Sequence, residues 1–310
     1  MNCKYYWLLN LLLAVLLSPV LIGIINKVKA FFAGRKGPKL MQCWYDIIKL
    51  LKKESVYSKT TTIFFRLAPA VTLGATFIAL LFLPLGLQNS PLGFHGDAIL
   101  FLYLFGMARM ITVIAAIDTG SSFEGMGGAR ELQFAIISEG TLILLLAFLA
   151  MMTGSFQLSS MLNTASSADH AVAAPALALS AAALYIVMLA ECCRVPVDDP
   201  ETHLELTMIH EAMILDNSGP DLGIIHYAAA LKLWIFASLL TSLLFPATGL
   251  PGWILTLVSL GGVLICTLFV GITESIMARY RFLKVPQLLF GSFCFELAAL
   301  AMLLISGGAK

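Results

Sequence analysis

Eight acidic residues are concentrated between Ala190 and Gly223, where they are accompanied by one arginine, Arg194, and flanked by long apolar runs. Other ionisable side chains, such as Glu139 and Lys232, lie within the apolar runs themselves. Ionisable groups at membrane depth are costly, so this pattern predicts a path for protons or ions, although a solvated connector would also carry such acidic residues. The eight acidic residues are Glu191, Asp198, Asp199, Glu201, Glu205, Glu211, Asp216 and Asp221, and Arg109, Glu274 and Glu296 also lie within or at the ends of apolar runs.

Two of these carboxylates, Glu201 and Glu205, are four residues apart, so a helix would place both on one face. Repulsion and burial would then raise the pKa of at least one of them toward the physiological range, as proton exchange requires. In a fully hydrated loop, both groups would keep their ordinary pKa values. The spacing alone leaves both interpretations open.

The elements that must position these groups are membrane-spanning helices. Hydrophobic residues make up 59% of the 310-residue chain and charged residues only 12%, with a mean hydropathy of +0.92. The apolar runs lack the alternation of barrel strands, and at about 20 residues each is long enough to cross about 30 Å of hydrocarbon as a helix. The sequence predicts an all-α polytopic membrane protein with about eight spans, at residues 7–25, 67–87, 98–117, 132–152, 171–191, 224–245, 252–273 and 286–306.

Positive charge alternates between the connections. Ten lysines and arginines lie between spans one and two, whereas the next connection, residues 88–97, has none. Arg130, Arg194 and the basic group at 279–284 fall on the same side as the first connection. This bias predicts that the odd-to-even connections face the cytoplasm and that both termini lie outside. We expect one membrane domain over residues 1–310, with cytoplasmic loops at 26–66, 118–131, 192–223 and 274–285.

The first two cytoplasmic connections carry local patterns of their own. In the first, apolar residues recur at helical spacing from Leu40 to Leu51, which predicts a short amphipathic helix in the membrane interface or against a partner. The second, from Ile117 to Glu131, is rich in Gly and Ser. We expect a loop there, either one that bends around a neighbouring protein or ligand or a plain turn between spans. Arg130 in this loop can pair with a carboxylate.

The chain shows no sequence pattern for a metal or redox centre of its own. Its six cysteines have no paired metal spacing, and of its histidines only His203 and His210 are placed to share a helix face. We expect these two to be polar loop residues rather than metal ligands. Phosphate-binding loops, nucleophile motifs and nucleic-acid patches are absent from the sequence. Orientation and anionic lipid explain the basic first connection.

Motifs dispersed through these connections resemble one family. They are similar to the membrane subunit at the junction of the peripheral and membrane arms of respiratory complex I, the H-type or subunit 1 protein. The compact first connection is more similar to the counterparts in formate hydrogenlyase and other energy-converting membrane-bound NiFe-hydrogenases, and the similarity covers essentially the whole chain. The matching residues are Arg35, Gly37, Pro38, Gln42, Asp46, Lys49 and Leu50; Asp118, Thr119, Gly120, Ser121, Arg130 and Glu131; Glu139; and Glu191, Pro196, Asp198, Glu201, Glu205, Ser218 and Gly219.

The resemblance implies a non-catalytic membrane subunit of a multi-subunit oxidoreductase complex. Such a subunit has no cofactor of its own, because the NiFe site and the iron–sulfur clusters belong to partners. The expected partners are hydrogenase large-type and small-type subunits, an iron–sulfur protein, antiporter-like membrane subunits and membrane lipid, with no nucleic acid. The subunit would dock the peripheral arm and couple its electron transfer to proton or sodium translocation in a bacterial or archaeal cytoplasmic (inner) membrane.

The resemblance also implies roles for particular residues. His203 stands where the family commonly has a third acidic residue, and histidine relays protons near neutral pH. Lys232 and Glu274 would extend the proton path laterally, although we expect each rather to find a partner within the helix bundle. The expected coupling residues are Glu139, Glu191, Asp198, Glu201, His203, Glu205, Asp216, Arg130, Glu131 and Arg194, and the expected docking residues are Arg35, Lys36, Gly37, Pro38, Gln42, Asp46, Lys49 and Asp118.

Three alternatives compete with this interpretation. A quinone-binding subunit of a complex I-type NADH or ferredoxin:quinone oxidoreductase would need an apolar chamber that opens to lipid near the first and third cytoplasmic loops. A secondary transporter working alone would show inverted repeats in its two halves, and we find no such symmetry. A purely structural anchor predicts that neutralising Glu139 or Glu201 spares coupled activity.

Overall fold

The computed structural model describes residues 6–84, 90–166, 173–198, 208–245 and 251–307. Within these ranges the chain is all-α, and eight helices are long and apolar enough to cross a membrane, which confirms the predicted fold class. Shorter helices, α2 (Gln42–Leu51), α6 (Leu158–Ser166) and α8 (His210–Met213), lie in the connections. The spanning helices are α1 (Tyr6–Phe32), α3 (Ile63–Phe82), α4 (Asp97–Asp118), α5 (Ser122–Thr153), α7 (Ala173–Glu191), α9 (Gly219–Leu244), α10 (Gly252–Ile276) and α11 (Val285–Gly307).

Helix α9 lies at the centre of the bundle. It packs against α1, α3, α7 and α10, and 78% of its spanning window is buried, compared with 22–50% for the other spans. A helix that is apolar on all sides is stable only where it is surrounded, and α9 is buried almost continuously from Ala230 to Leu243. Lys232 lies within that stretch, so it faces other helices rather than lipid.

The first span is held to its neighbours at a proline. Pro19 has no backbone N–H, so the carbonyl of Val15, four residues earlier, loses its helical donor. The Tyr227 hydroxyl of α9 donates to that carbonyl at 3.0 Å, and the Trp44 indole of α2 donates to the neighbouring Leu16 carbonyl at 3.0 Å. Backbone groups in a membrane must find partners within the protein, and these two side chains provide them.

The amphipathic helix predicted in the first connection is present as α2. Its buried residue Ile47 faces α9, where Gly223 lets the two helices approach closely. A Cβ atom on Gly223 would lie 3.2 Å from the Leu50 Cβ. Tyr45 and Ile48 remain exposed on the opposite face. The helix is therefore packed on one side against the bundle and open on the other.

The second connection is more helical than its composition predicts. The expected loop at 118–131 contains only a short turn at Gly120, which has a φ of +71°, and α5 begins at Ser122. Two of its glycines, Gly127 and Gly128, make close contacts with other parts of the chain. A Cβ atom on Gly127 would lie 2.9 Å from the backbone oxygen of Ile209, so only glycine fits there without a shift. Packing has overridden the low helix propensity of glycine.

The four odd-to-even connections contact one another at one end of the bundle. The Asp118 carboxylate accepts hydrogen bonds from the backbone N–H and the hydroxyl of Thr62, at 2.6 and 2.9 Å. The Ser218 hydroxyl accepts from the backbone N–H of Val56 at 3.0 Å. The Tyr280 N–H donates to the Pro196 carbonyl at 3.0 Å, which joins the last two of these connections.

Candidate functional site

Five ionisable side chains meet between α4, α5, α7 and α9, and we call them the Arg109 network. The Arg109 side chain is only 6% exposed, and its guanidinium contacts three carboxylates. Its Nε lies 3.3 Å from Glu131, and its two terminal nitrogens pair with Glu139 and Glu191. The fifth member is Lys232, which joins through Glu191. A guanidinium presents donors on three sides, so one arginine can bind all three acids.

Glu191 connects the two cations of the network. It is the last residue of α7, its side chain is 2% exposed, and it lies 2.7 Å from the Lys232 ammonium. The Ser138 hydroxyl donates to it at 2.8 Å. With three carboxylates and two cations, the network has a net charge of −1 when every group is ionised. One added proton makes it neutral, which is the state that a low-dielectric interior favours.

The spacing of residues along α5 brings several of these groups together. Ser138 and Glu139 follow Glu131 by seven and eight residues, about two helical turns, so all three side chains project from the same side of the helix. Gly106 lies almost one turn before Arg109 on α4, and a Cβ atom there would lie 3.7 Å from the Glu139 carboxylate. That distance is an ordinary van der Waals contact, so Gly106 lies directly beside the acid.

The network borders a small internal cavity of about 80 Å³. Arg109, Glu131, Glu191 and Lys232 line it, together with His210 from α8. A water molecule occupies about 30 Å³ of liquid, so the space that the described residues enclose is suited to a few waters. A drug-sized ligand needs about 300–1,000 Å³. This cavity therefore has room for a few waters, as a route for protons requires.

Two adjacent cysteines also line this cavity, just beyond the end of α7. Burial raises the pKa of Cys192 from 9.0 to about 12, against the opposing charges of Lys232 and Arg194. Burial likewise raises the pKa of Cys193 well above its ordinary value. Both thiols are therefore neutral at physiological pH and are poor nucleophiles.

We expect Cys192 to resist alkylation by N-ethylmaleimide at pH 8 in the folded protein. The raised pKa lowers its thiolate fraction at that pH roughly 1000-fold relative to an ordinary thiol, and labelling should accelerate only as the pH rises toward 12. Peptide mass spectrometry of folded and detergent-denatured protein gives the two rates. Equal rates in the two states would show that the thiol is not buried as described.

Among the described members of the network, Glu139 is the most exposed. The Glu139 side chain is 47% exposed, unlike that of Glu191. It lies at the base of a groove of about 540 Å³ between α4 and α5, whose walls include Tyr103, Met107 and Ile136. A proton on Glu139 is therefore in contact with both the buried arginine and the outside of the bundle.

Several residues expected in the coupling path lie in separate contacts. Asp198 accepts from Arg279 at 2.7 Å and from the backbone N–H groups of Ile209 and His210. The Arg130 guanidinium donates to the Met208 carbonyl at 3.0 Å and lies over the Phe282 ring. Asp216 is exposed, and its backbone N–H donates to the buried Glu124. The expected residues Glu201, His203 and Glu205 lie outside the described residues.

Arg194 and Glu274 belong to a second buried ion cluster. The Glu274 side chain of α10 is fully buried, 3.5 Å from Arg194 and 3.4 Å from Lys29 of α1. Lys232 and Glu274 thus each have an ion-pair partner inside the bundle, which is the role that was expected for them in preference to a lateral proton path.

Six of the expected docking residues are exposed: Arg35, Lys36, Gly37, Pro38, Asp46 and Lys49. Gln42 is half-buried and donates a hydrogen bond to Asp46 at 3.0 Å, and Asp118 accepts hydrogen bonds from Thr62.

Three residues in these contacts were given no site role from the sequence. Arg109 was noticed as a charge in an apolar run, and a lone arginine at that depth is a signal that several acids surround it. Ser138 carries no signal of its own, because buried serines are common in spans. Glu124 was assigned to a loop but is fully buried. In the described ranges, no group of three or more His, Cys, Asp and Glu side chains is arranged to hold a metal ion.

Comparison with known proteins gives consistent matches along nearly the whole chain. A model of the family described as NADH dehydrogenase matches residues 5–306. Hydrogenase-4 component C of Escherichia coli (strain K12) is 31% identical over 296 residues, which cover 93% of this chain and 91% of the relative. Formate hydrogenlyase subunit 4 of the same strain is 30% identical over 305 residues, 96% of this chain and 98% of the relative.

A solved structure shares the same extent. A chain in the structure of the membrane-bound sulfane sulfur reductase, an archaeal respiratory membrane complex, superimposes with a TM-score of 0.83. That alignment covers 98% of this chain and 100% of the other chain at 23% identity. The two proteins therefore share a fold along their whole length.

Proposed function

Since this chain belongs to the NADH dehydrogenase family, we propose that it is the membrane subunit of a hydrogenase or formate-hydrogenlyase-type complex. In this proposal it docks a peripheral arm that holds the NiFe site and iron–sulfur clusters, and it couples their electron transfer to proton or sodium translocation. Two relatives of 30–31% identity are named as components of hydrogenase-4 and formate hydrogenlyase, and both align over more than 90% of this chain. The proposed partners are therefore hydrogenase subunits, an iron–sulfur protein and further membrane subunits.

The Arg109 network is the observation that carries the coupling proposal. Five ionisable groups at membrane depth are expensive to retain unless their charge is used. Their net charge of −1 leaves room for one proton, and the cavity beside them suits water. The groove at Glu139 offers that proton an exit toward neighbouring membrane subunits. A structural anchor would need none of these features.

The connections give docking proteins a physical route to this network. A partner's redox change moves a proton only if it alters the relative stability of two states of the subunit. His210 lines the cavity from α8, and α8 lies on Gly127 of α5, the helix that carries Glu131 and Glu139. A partner that shifts the α8 segment therefore changes the cavity wall directly.

The orientation of the subunit is part of the proposal. The exposed basic first connection, including Arg35, Lys36 and Lys49, would meet the peripheral arm at the cytoplasmic side of a bacterial or archaeal inner membrane. Both termini would lie outside, and residues 1–310 would form a single membrane domain. Because the connections that carry this charge contact one another at one end of the bundle, they form a single docking surface.

We expect Glu191→Gln to lower proton translocation about 100-fold, the lower range for loss of a proton-transferring side chain, while the complex stays assembled. Glutamine keeps the hydrogen bond to Ser138 but removes the charge between Arg109 and Lys232. The assay purifies the complex through a tag on this chain, identifies its subunits by mass spectrometry and measures proton uptake per electron in liposomes.

Asp216→Asn is the matched control, because Asp216 is exposed and its described contact is through the backbone. It should leave translocation within twofold of the unsubstituted complex. Full translocation by Glu191→Gln would remove the coupling proposal, and recovery of this chain without nickel or iron–sulfur subunits would remove the docking proposal.

A further inference from the structure

Another buried carboxyl group, that of Glu296, lies in α11, outside the Arg109 network. Glu296 is 0% exposed, and α11 packs against α7 and α5. The Ser180 hydroxyl of α7 donates to its Oε1 at 2.9 Å. Its other oxygen, Oε2, is buried without a hydrogen-bond partner among the described residues. Glu296 thus lies outside both of the buried ion clusters.

No cation neutralises this group within the part of the chain that the structure describes. The ion pairs found there involve other acids, and Cys294 on α11 itself points outward. The ionisable groups on the helices that pack against α11 have partners elsewhere: Glu131, Glu139 and Glu191 contact Arg109, Glu124 contacts Asp216, Arg130 contacts Met208, and Tyr185 contacts Thr273.

An ionised carboxylate without a cation is far more costly in such surroundings than a neutral carboxylic acid. The neutral acid also explains the contrast between the two oxygens of Glu296. Oε1 accepts a hydrogen bond from Ser180 and is satisfied as a carbonyl oxygen. Oε2 has no hydrogen-bond partner of either kind among the described residues, and an unpaired O–H of a neutral acid costs far less there than an unpaired negative charge.

Hydroxyl groups lie between this acid and the Arg109 network. Ser138 of α5 donates to Glu191, and Thr141, almost one turn further along, is buried at 1% exposure. The Phe293 ring on α11 packs against Gly140, which brings the Glu296 turn of α11 to this part of α5. On α7, Ser180 precedes Glu191 by 11 residues, about 16 Å of helix. Ser180, Thr141 and Ser138 thus lie on the two helices that connect Glu296 to the Arg109 network, although they donate to other groups and not to one another.

We propose that Glu296 is a second proton-binding site, which holds its proton as a neutral acid and exchanges it with the Arg109 network across the packed faces of α5, α7 and α11. In each cycle the proton leaves Oε2, Glu296 becomes a carboxylate, and a returning proton restores the acid. The exchange rests on the proposed function, whereas the resting protonation of Glu296 does not.

Infrared spectroscopy of the intact complex tests the resting state. The difference between the unsubstituted complex and Glu296→Gln at pH 7 should contain the carbonyl band of one protonated carboxylic acid. Ser180→Ala removes the one hydrogen bond to Oε1, so it should shift that band without abolishing it. Absence of the band would overturn the proposal, because Glu296 would then be ionised. The Ser180→Ala spectrum alone serves this test if Glu296→Gln does not assemble.

Proton uptake in liposomes tests the exchange. Glu296→Gln should lower translocation about 100-fold, while Cys294→Ser, at an exposed position of the same helix, should leave it unchanged. Reduction of the attached redox centres should weaken the infrared band as the proton leaves. Full translocation by Glu296→Gln, or a band that reduction does not change, would overturn the exchange. If the unsubstituted complex translocates no protons, the proposed function fails, and the band at pH 7 still decides the protonation of Glu296.

Discussion

Replacement of Arg109 by methionine is expected to destabilise the folded subunit by about 3–5 kcal/mol, the cost of breaking a buried ion cluster by removing one partner. The substitution leaves Glu131 and Glu191 facing each other in a low-dielectric interior without the guanidinium between them. Their repulsion and uncompensated desolvation act on α5 and α7 together. We expect a lower unfolding midpoint in detergent and loss of this chain from the purified complex.

Two variants separate charge from packing in this experiment. Arg109→Lys keeps the positive charge but cannot reach three carboxylates at once, so it should fall between methionine and the unsubstituted protein. Arg66→Met removes an exposed arginine that lies 4.8 Å above the Tyr57 ring, and it should change stability by about 1 kcal/mol or less. Similar unfolding midpoints for Arg109→Met and Arg66→Met would show that the network does not hold the bundle together.

Replacement of Asp198 by alanine is expected to cost about 3–5 kcal/mol and to release the segment around α8. Asp198 is 2% exposed and accepts hydrogen bonds from the N–H groups of Ile209 and His210, at 3.2 and 3.1 Å, and from Arg279. Alanine leaves these buried donors without this acceptor. Hydrogen exchange at the Ile209 and His210 amides measures the release directly.

The comparison that isolates this effect is Asp216→Ala, which removes an exposed carboxylate from the same connection. Its amide exchange at residues 208–213 should match that of the unsubstituted protein. Asp198→Asn keeps an acceptor oxygen for one or two of the donors, so it should protect these amides partly. Unchanged exchange in Asp198→Ala would mean that other contacts position α8, and Asp198 would then be free to act in the proton path.

Hydropathy and charge bias predicted the membrane-spanning framework from the sequence, because both depend on the local chain. A run of about 20 apolar residues needs no knowledge of its neighbours to be recognised as a span. The amphipathic helix α2 could be predicted for the same reason, because the regular spacing of its apolar residues is contained within ten successive residues. The contact among the odd-to-even connections agrees with the charge alternation, which is also read along the chain.

The site depended on which helices meet, and one sequence cannot specify that. Glu131, Glu139 and Glu191 were expected to act together with the other acids of the third cytoplasmic connection. In the structure these three acids meet in a network drawn from four spanning helices, and its centre is Arg109, to which the sequence had assigned no coupling role. Asp198 looked like a path residue by type, but the backbone donors that it binds became visible only in three dimensions.

The second connection is another place where the local sequence did not predict the structure. Glycine and serine between Ile117 and Glu131 are typical of a turn, and their composition gives no hint of the helix that begins at Ser122. Gly127 is required by the backbone of Ile209, which lies more than 80 residues later in the chain. Local propensity was a poor guide there, because the reason for the glycine is a distant neighbour.

The hydrogen bonds around Pro19 join three helices. Tyr227 and Trp44 both donate to carbonyl groups of α1, so α1 is tied to α9 and α2 by hydrogen bonds as well as by packing. Lys232 follows Tyr227 by five residues on α9, so the ammonium group of the Arg109 network is carried by a helix that is anchored to its neighbours less than two turns away.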